Sequence, residues 1–495
     1  MDLSRLNLIE QLELFAKENE LSLANFFQLK KYVQLCYGKR LSLSDLPEER
    51  DKLQQLIQLN WVKKEKALVK KYHFFWQCRR CHNMEQSLFA EKPCNHCQTN
   101  HMYCRKCAQL NTLMECSSII RWIGPDHDYE KIDDPLTWEG QLTEVQQYGS
   151  DHILQAVKKR EDLQVWAVTG SGKTEMLFPA IAYCLSQGLR ICITTPRTDV
   201  VRELHPRLEQ AFQKTTIDAL YGGSPKRLSN AQCLLATTHQ LLKYEATFDV
   251  IIIDEVDAFP YYYDDMLQFA VKRASKAQAS TIYLTATPRP KAALSLALKQ
   301  AKTIFIPLRY HKRPLPLPTL HFIPNLEKRL IKEKQVGAIE NWLAQRQYAK
   351  RQLLIFVPTI QLARDLEEGL AKQIARIYKD PNLKTVSVTS KHDDRPLIIE
   401  RFRRKEIYCL ITTTILERGV TFPSIDVAVL CANHQVFDQQ ALVQISGRVG
   451  RAKDDPSGQL IFFHEGITKD MKNARKQIQM MNKKARNYFT ERKEP

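Results

Sequence analysis

The chain has 495 residues, more than the roughly 100–200 residues of one ordinary domain, so its length predicts three or four compact units. Its 73 lysines and arginines exceed its 55 acidic residues and give a formal net charge of +18. That excess favours a polyanionic partner, nucleic acid first and a membrane surface second, although solvated surface charge produces the same balance. No signal peptide and no run of about 20 apolar residues is evident, which predicts a cytoplasmic protein and not a secreted or membrane-spanning one.

The residues ahead of position 138 fall into three segments of different composition. Apolar residues at three- and four-residue intervals predict a helical region over residues 1–70. Residues 71–120 are rich in cysteine, histidine and aromatic residues but poor in aliphatic ones, so we expect a small zinc-binding domain that depends on its metal. Residues 121–137 contain turn-forming glycine, proline and aspartate and predict a linker.

Three C-x-x-C pairs dominate the cysteine-rich segment, and Cys116 follows them: Cys78 with Cys81, Cys94 with Cys97, and Cys104 with Cys107. Two such pairs supply the four thiolates of a closed, structural zinc site. Three pairs leave two arrangements open. Either one zinc leaves two cysteines spare, or two zincs share six or seven cysteines with a histidine. A redox pair and an iron–sulfur cluster are the alternatives to zinc.

Basic and aromatic residues lie within and beside these pairs: Trp76, Arg79, Arg80, Tyr103, Arg105 and Lys106. Positive charge next to aromatic rings is typical of proteins that bind a single nucleic-acid strand, through the backbone phosphates and by base stacking. Packing of the rings against a small metal core explains the same residues. Both interpretations stay open at this stage.

From residue 138 onward, short β-rich runs alternate with helical stretches, which predicts parallel sheets and an α/β fold. The runs are residues 165–168, 190–194, 233–236, 250–253, 281–284, 353–357, 409–412 and 427–430. A proline-rich stretch at residues 307–318 cannot continue a helix or a central strand. It predicts a hinge between a first lobe over residues 138–308 and a second lobe over residues 309–495.

A glycine-rich turn follows the first of these runs and has the composition of a phosphate-binding loop. Its glycines allow a tight turn whose N–H groups point at phosphate, Lys173 is placed to reach the β- and γ-phosphates, and Thr174 to ligate magnesium. Ala167 stands where the general pattern has its first glycine. We therefore expect ATP and Mg²⁺ at the following residues: Thr169, Gly170, Ser171, Gly172, Lys173, Thr174 and Glu175.

A second nucleotide motif follows the run at residues 250–253, where a buried strand ends in acidic residues. Asp254 is placed to hold magnesium, and Glu255 is the candidate base that orients the attacking water. Asp257 is either a residue that couples hydrolysis to movement or part of a solvated turn. Upstream, Gln146 ends a Leu-Thr-x-x-Gln element, and its amide both donates and accepts, which suits the recognition of adenine.

The second lobe contributes two arginines three residues apart, Arg448 and Arg451. A permanently charged, forked donor stabilises the charge that develops in phosphoryl transfer, so Arg451 is the candidate arginine finger and Arg448 its partner. An ordinary surface pair is the alternative. Earlier in the lobe, Gly419 allows a close backbone approach to the nucleotide, and the Thr414 hydroxyl is a candidate contact with nucleic acid.

Two first-lobe loops, at Arg197 and Thr238, follow successive strands and are candidate contacts with a phosphate backbone. In order and spacing, the motifs over about 310 residues resemble those of superfamily 2 helicases. That resemblance implies two RecA-like parallel-sheet lobes behind the small zinc-binding domain and the N-terminal helical segment, with ATP in the cleft between the lobes. It further implies that the segment from Thr285 to Thr287 links hydrolysis to strand movement, and that Thr421 stands where many relatives have aspartate.

From the cysteine block to the C-terminus, the chain resembles the ComFA family of competence ATPases. The segments that carry this resemblance begin at Cys78, Tyr103, Asp254, Thr414, Ala432 and Ile478. The family implies a DNA-stimulated ATPase that helps to bring single-stranded DNA into the cytoplasm. It also implies a position at the inner face of the membrane, with a ComEC-type channel and a ComFC-type protein as partners. The number of subunits is not predicted by the sequence, and a homo-oligomer stays open.

The same resemblance implies that Cys78, Cys81, Cys104 and Cys107 form the principal zinc site. The middle pair, Cys94 and Cys97, occurs in only some relatives, so zinc binding by this pair stays open. Two other functions stay open. One is a replication-restart helicase similar to PriA, whose phosphate loop is alike but whose cysteine cluster interrupts the second lobe. The other, of a different class, is a zinc-dependent DNA-binding scaffold with a vestigial ATP site, against which Lys173, Glu255 and Arg451 argue.

Overall fold

The computed structural model describes residues 7–47, 50–72, 74–226, 228–288, 301–333, 337–390, 392 and 394–490. The chain divides into two compact units. The first comprises residues 1–142, 147–165 and 174–304, and the second comprises residues 143–146, 166–173 and 305–495. The turn between Ala167 and Lys173 therefore groups with the second unit, although the strand before it and the helix after it belong mainly to the first.

The N-terminal region begins with helices but does not stay helical. The elements ahead of residue 138 are α1 (Leu8–Glu18), α2 (Leu23–Cys36), β1 (Arg40–Ser42), α3 (Arg50–Gln58), β2 (Val62–Lys66), β3 (Leu68–Lys71), β4 (Phe75–Cys78), β5 (Phe89–Pro93), β6 (Asn100–Cys104) and β7 (Ser118–Trp122). Strands β1, β7 and β2 form a three-stranded antiparallel sheet, and β3–β4 and β5–β6 are two hairpins. The prediction of helices over residues 1–70 is thus confirmed for α1, α2 and α3, but it is wrong at β1 and from Val62 onward, where the chain forms strands.

A seven-stranded sheet forms the first lobe. Its elements are α4 (Glu144–Lys159), β8 (Leu163–Ala167), α5 (Lys173–Ser186), β9 (Ile191–Thr195), α6 (Thr198–Ala211), β10 (Ile217–Leu220), β11 (Cys233–Thr237), β12 (Phe248–Ile253), α7 (Asp265–Ala274), β13 (Ser275–Thr285) and β14 (Lys302–Ile306). The strand order is β10-β11-β9-β12-β13-β8-β14, and the pairs from β10 to β13 are parallel. The ends of β8, β9 and β12 carry the predicted nucleotide and DNA motifs.

A six-stranded sheet forms the second lobe, and all its strand pairs are parallel. Its elements are β15 (Thr319–Phe322), α8 (Leu326–Glu333), α9 (Gly337–Ala344), β16 (Gln352–Phe356), α10 (Ile360–Tyr378), β17 (Thr385–Val388), α11 (Arg395–Arg403), β18 (Cys409–Thr412), β19 (Ile425–Val429), α12 (Gln439–Ser446), β20 (Leu460–His464) and α13 (Lys469–Thr490). The order is β15-β20-β19-β16-β18-β17. Two parallel sheets of this kind, each with its own apolar core, confirm the predicted α/β class with RecA-like lobes.

All eight predicted β-rich runs are strands to within two residues at each end, except that β13 begins six residues before its predicted run. Five other strands of the two sheets, β10, β14, β15, β17 and β20, had no separate prediction. Residues 307–318 contain neither helix nor strand, as their prolines predict, and residues 123–143 likewise contain neither. Movement at the predicted hinge stays a prediction.

The N-terminal helices pack on the first sheet around a buried arginine. Arg190 lies at the start of β9, and its Nη1 donates a hydrogen bond to Thr247 Oγ1 at 2.8 Å. Its guanidinium also lies within 6 Å of the ring centres of Tyr37, Tyr129 and Phe248. Aromatic rings attract a cation that lies over their faces, and the hydrogen bond adds to this attraction. Arg190 therefore links the N-terminal region to the sheet.

Candidate functional site

The phosphate loop occupies residues 168–172, between the end of β8 and the start of α5. Gly170 and Gly172 have φ values of +79° and +76°, a left-handed conformation that residues with a side chain adopt only with strain. The two glycines turn the chain so that Lys173 begins the helix. Backbone N–H groups at the start of a helix have no partner within the helix, so this turn favours an anion.

Two hydroxyls of this loop are buried without a partner. Within the described parts of the chain, Thr169 Oγ1 and Ser171 Oγ form no hydrogen bond, and both residues are less than 9% exposed. The Lys173 ammonium donates to the carbonyl oxygen of Ala167 at 3.5 Å, a weak contact. Since a buried hydroxyl without a partner is costly, these groups fit a loop that binds a polar ligand such as a nucleotide phosphate.

Gln146 lies beside the same loop. Its amide nitrogen donates to the carbonyl oxygen of Ser171 at 3.1 Å, and its amide oxygen accepts from the N–H and the hydroxyl of Thr143 at 2.9 and 3.0 Å. The side chain thereby ties the start of α4 to the phosphate loop. The predicted contact with adenine stays a prediction, and the structure adds a role in holding the loop.

The acidic motif follows the last residue of β12. Asp254 accepts a hydrogen bond from the N–H of Glu255 at 2.9 Å, and its own N–H donates to the carbonyl oxygen of Thr194 at 2.8 Å. Glu255 has a φ of +56°, which is uncommon outside glycine, and its Oε2 is buried without a partner among the described residues. Strained backbone that holds an unsatisfied carboxylate is typical of functional positions.

Asp257 is not part of a solvated turn. It is 2% exposed, and it accepts hydrogen bonds from Thr285 Oγ1 at 2.6 Å and from the hydroxyl of Thr287. A single carboxylate therefore joins the acidic motif to the segment that follows β13. Of the two interpretations open from the sequence, this contact favours the coupling role.

The two residues after Lys173 have different surroundings. Thr174 is the second residue of α5 and is partly exposed. Glu175 forms a salt bridge with Arg207 of α6, with Oε1 and Nη2 at 2.5 Å. Its predicted contact with nucleotide stays a prediction, and in this structure its carboxylate links two helices of the first lobe.

In the second unit, both candidate arginines contact the segment after β18. Arg448 Nε donates to the carbonyl oxygen of Glu417 at 3.1 Å. Arg451 Nη1 donates to the carbonyl oxygen of Val420 and to Thr421 Oγ1, each at 3.1 Å. Between these partners, Gly419 has a φ of +70°. The arginines and the Gly419 segment thus form one structural group, and Thr421 takes part through its hydroxyl.

Arg309 belongs to this group and had no role in the sequence prediction beyond the hinge. It is 2% exposed, and its guanidinium donates to the carbonyl oxygens of Gly447, Val449 and Gly450 at 2.7–3.2 Å. Burial, with the nearby charge of Arg451, lowers the pKa of Arg309 to about 9. Only its place in a basic, proline-rich stretch marked it in the sequence, because its partners lie some 140 residues further along the chain.

The candidate DNA contacts differ in accessibility. Arg197 directly precedes α6, at the end of β9, and is partly exposed. Thr414 begins a 3-10 helix, Thr414–Leu416, and is also partly exposed. Thr238 is 0% exposed, and its hydroxyl accepts a hydrogen bond from Thr194 Oγ1 at 3.2 Å. A contact between Thr238 and DNA does not fit this burial, so that prediction is corrected; those for Arg197 and Thr414 stay predictions.

Four cysteines form a closed cluster, which we call the tetrad: Cys78, Cys81, Cys104 and Cys107. All four are at most 2% exposed, and their sulfur atoms lie within 4.8 Å of one another. The Sγ atoms of Cys78 and Cys107 are 3.8 Å apart, and those of Cys81 and Cys104 are 3.6 Å apart. Tetrahedral zinc with Zn–S bonds of about 2.3 Å requires separations of about 3.8 Å, so the tetrad fits zinc.

Arg80 supports the tetrad from inside the domain. Its Nη2 donates to Cys107 Sγ at 3.1 Å and to the carbonyl oxygens of Cys107 and Asn111, both at 2.7 Å. Hydrogen bonds from the other three thiols lower the pKa of Cys107, and the charge of Arg80 adds to the effect. Because Arg80 is 2% exposed, a contact with a nucleic-acid strand does not fit, and that interpretation is corrected.

The tetrad packs against the first lobe. Its four cysteines share one apolar core with residues of β11, β12 and α7. Arg273, on α7, donates hydrogen bonds to the carbonyl oxygens of Arg79 and Arg80. Burial lowers the pKa of Arg273 to about 10, and the charge of Arg40 contributes. The cysteine-rich segment is therefore joined to the sheet that carries the acidic motif, although the domain boundaries stay predictions.

A second cluster, which we call the trio, brings together Cys94, Cys97 and Cys116. The Sγ atoms of Cys94 and Cys116 are 3.7 Å apart, a separation that also fits zinc. Cys94 is buried, whereas Cys97 and Cys116 are exposed. Among the described residues, no fourth cysteine, histidine or carboxylate atom lies within 4.8 Å of all three sulfurs. The sequence prediction included Cys116 only as the seventh cysteine of the two-zinc arrangement, because it lies outside every C-x-x-C pair.

The fold and the two nucleotide motifs define a superfamily 2 helicase-type enzyme. Residues 143–295 match the DEAD/DEAH box helicase family, and residues 334–453 match the helicase conserved C-terminal domain. Such domains use ATP with Mg²⁺ and bind nucleic acid. The chain is thus an ATP-dependent helicase-like enzyme.

The N-terminal part narrows this class. Residues 25–121 match the ComFA N-terminal domain of competence proteins. The chain is 42% identical to the competence protein ComFA of Bacillus subtilis over 412 residues, which cover 83% of this chain and 86% of the relative. It is 37% identical to ComFA of Streptococcus pneumoniae, over 92% and 99% of the two chains. The chain belongs to the ComFA family, and it is a competence-associated, helicase-like motor.

Solved structures of low sequence identity share the fold. The helicase Mss116 bound to single-stranded RNA has a TM-score of 0.52 and 18% identity, over 65% of this chain and 70% of its own. The helicase Lhr of Mycobacterium smegmatis has a TM-score of 0.51 and 16% identity, over 71% of this chain and 51% of its own.

In the described part of the chain, every helix is too short or too polar to span a membrane.

Proposed function

We propose that this chain is an ATP-driven motor on single-stranded DNA that works in DNA uptake during natural transformation. The observation that carries the proposal is the pair of nucleotide motifs in a chain of the ComFA family. The phosphate loop holds two buried, unpartnered hydroxyls, and the acidic motif holds an unpartnered carboxylate oxygen on strained backbone. Both are features of a site that becomes satisfied when it binds a charged ligand.

The residues have distinct roles in this proposal. Lys173 and the loop N–H groups hold the phosphates, and Thr174 and Asp254 hold Mg²⁺, which neutralises charge on the phosphates. Glu255 orients the attacking water, and Arg451, supported by Arg448, stabilises the charge of the transferred phosphoryl group.

Movement on DNA then depends on a link from the site to the rest of the lobe. Asp257 supplies one such link through its hydrogen bonds to Thr285 and Thr287. Arg197 and Thr414 are the candidate contacts that position the strand through its phosphates.

We further propose that the tetrad holds a structural zinc and that the trio holds a second zinc. Four buried thiolates with sulfur separations of 3.6 and 3.8 Å support the first site. Three thiolates at the end of the β5–β6 hairpin support the second, with a fourth position left to water or another ligand.

Family membership supports the wider setting. We propose that the chain acts at the inner face of the cell membrane, beside a ComEC-type channel and with a ComFC-type partner, and that it self-associates.

Lys173→Ala tests the ATP site. Turnover of ATP with oligothymidylate should fall by about 100-fold or more, because the charge that holds the γ-phosphate is lost. Lys159→Ala, at an exposed lysine on α4, is the matched control and should retain turnover. Undiminished turnover in Lys173→Ala would overturn the site assignment. A lack of stimulation by single-stranded DNA in the unaltered protein would overturn the DNA motor.

A DNA-repair or replication-restart helicase is the second candidate function. The chain is 27% identical to the DNA helicase RecG of Synechocystis. The matched region covers 65% of this chain but only 39% of RecG. Deletion of the gene separates the candidates. Lost transformation with normal growth supports uptake, whereas a repair or growth defect with normal transformation supports the second function.

A further inference from the structure

A basic groove lies beside the tetrad, at the junction of the small antiparallel sheet, the β3–β4 hairpin and α7. It has a volume of about 1010 Å³ and is lined by eight lysine and arginine side chains but only two carboxylates. Both carboxylates are already paired. Glu65 binds Arg40 at 2.6 Å and Arg79 at 3.4 Å, and Glu245 binds Arg40 at 3.1 Å. The acids are therefore engaged by Arg40 and Arg79, and they leave the lysines unbalanced.

Five lysines line this groove and are exposed: Lys63, Lys64, Lys66, Lys71 and Lys272. Within the parts of the chain that the structure describes, their ammonium groups form no salt bridge or hydrogen bond. Four of them come from β2 and β3, and the fifth comes from α7. A concave surface with one sign of charge concentrates the field and attracts a polyanion.

Aromatic rings accompany the lysines. Phe269 and His82 line the groove, and their ring centres are 5.0 Å apart. Directly after Lys71, the turn of the β3–β4 hairpin exposes Tyr72 at 80% and Phe74 at 81%. Apolar rings that are exposed next to a basic groove are costly unless a partner covers them, and nucleic-acid bases stack on such rings whatever their sequence.

We propose that this groove binds the phosphate backbone of single-stranded nucleic acid, with Tyr72 and Phe74 as stacking surfaces for its bases. This proposal rests on the proposed function, according to which the bound strand is DNA. It adds a binding site that lies outside the sequence motifs of the helicase lobes. Phosphates repeat along a flexible nucleic-acid strand, and the lysines repeat along β2 and β3, so the two sets of charges can pair. An anionic membrane surface is the competing partner, but it is flat, whereas the groove is concave.

The test compares two triple variants of the full chain by their binding of oligothymidylate at several salt concentrations. The groove variant is Lys64→Ala, Lys66→Ala and Lys71→Ala. The control variant is Lys17→Ala, Lys31→Ala and Lys159→Ala, at exposed lysines that do not line the groove. Both lower the net charge by three. We expect the slope of log affinity against log salt to fall by about 2 in the groove variant alone, because each lost phosphate contact removes about 0.7.

A second variant, Tyr72→Ser with Phe74→Ser, should weaken oligothymidylate binding without a change in the salt slope, because stacking involves no counterion release. Zinc content and melting temperature confirm folding of each variant. Equal slopes in the groove and control variants would overturn the proposal. So would a groove variant that binds oligothymidylate normally but has lost its affinity for phosphatidylglycerol vesicles. Stimulation of ATP hydrolysis by oligothymidylate in the unaltered chain tests the proposed function separately.

Discussion

The tetrad and the trio are two cysteine clusters with similar sulfur spacing and different surroundings. In the tetrad, all four thiols are buried in an apolar core that extends into the first sheet, and Arg80 bonds to one of them. In the trio, two of three thiols are exposed, at the end of a two-stranded hairpin. Sulfur geometry alone therefore does not distinguish the clusters; burial and the number of ligands do.

For the two zinc ions proposed above, this difference predicts two kinds of metal site. A zinc with four buried thiolates is closed, holds its surroundings together and exchanges slowly. A zinc with three thiolates on the surface keeps its fourth coordination position open. Few other residues depend on such a zinc for their position. We therefore expect the tetrad to matter for folding of the first unit, and the trio to affect metal content more than stability.

The largest expected effect follows from the loss of a tetrad ligand. Cys81→Ala should release the zinc and destabilise the first unit by on the order of 5 kcal/mol, since three buried thiolates lose their counter-charge. The melting temperature of that unit should fall by about 10 °C. Elemental analysis and calorimetry of the purified variant measure the two changes.

Cys233→Ala is the matched control, because Cys233 is also fully buried in the first unit but lies on β11, outside both clusters. It should retain its zinc and lose only about 1 kcal/mol of packing. If Cys81→Ala kept the zinc content and stability of this control, the tetrad would not be a structural zinc site.

The tetrad also shows how much of the site the sequence can predict. C-x-x-C pairs, the phosphate loop and the acidic motif are local patterns, in which neighbouring residues fix the geometry, and they predict Cys78, Lys173 and Asp254 without a fold. Alternating β-rich runs likewise predict the class of fold, because a parallel sheet needs buried strands separated by helices.

Residues whose roles depend on distant partners cannot be predicted from local patterns. Arg309 contacts carbonyl groups some 140 residues away, and Arg80 bonds to Asn111 and Cys107 on another part of the domain. Cys116 approaches Cys94 only after the β5–β6 hairpin has formed. The neighbouring sequence does not indicate these contacts, because they form only between segments that the fold brings together.

The second prediction concerns the arginine that bonds to the tetrad. Arg80→Lys keeps the positive charge but removes the forked donor that reaches both Cys107 and Asn111. Zinc affinity should fall by about 10–100-fold, as for other residues that orient metal ligands. Competition with a chromogenic chelator measures the change.

Arg105→Ala is the control for this variant, because Arg105 lies between the cysteines of the other tetrad pair but is exposed. Its zinc affinity should match that of the unaltered chain. Equal affinities in Arg80→Lys and Arg105→Ala would contradict the role of Arg80.

The smallest effect on stability, and the sharpest test of the comparison, is expected from Cys116→Ala. Removal of one trio thiol should lower the zinc content from two ions per chain to one, while the free energy of unfolding changes by less than about 1 kcal/mol, because Cys116 is exposed. Combined with Cys81→Ala, it should leave no bound zinc. A single zinc in the unaltered chain, unaffected by Cys116→Ala, would show that the trio is three free thiols and that burial, more than sulfur spacing, decides which cluster takes the metal.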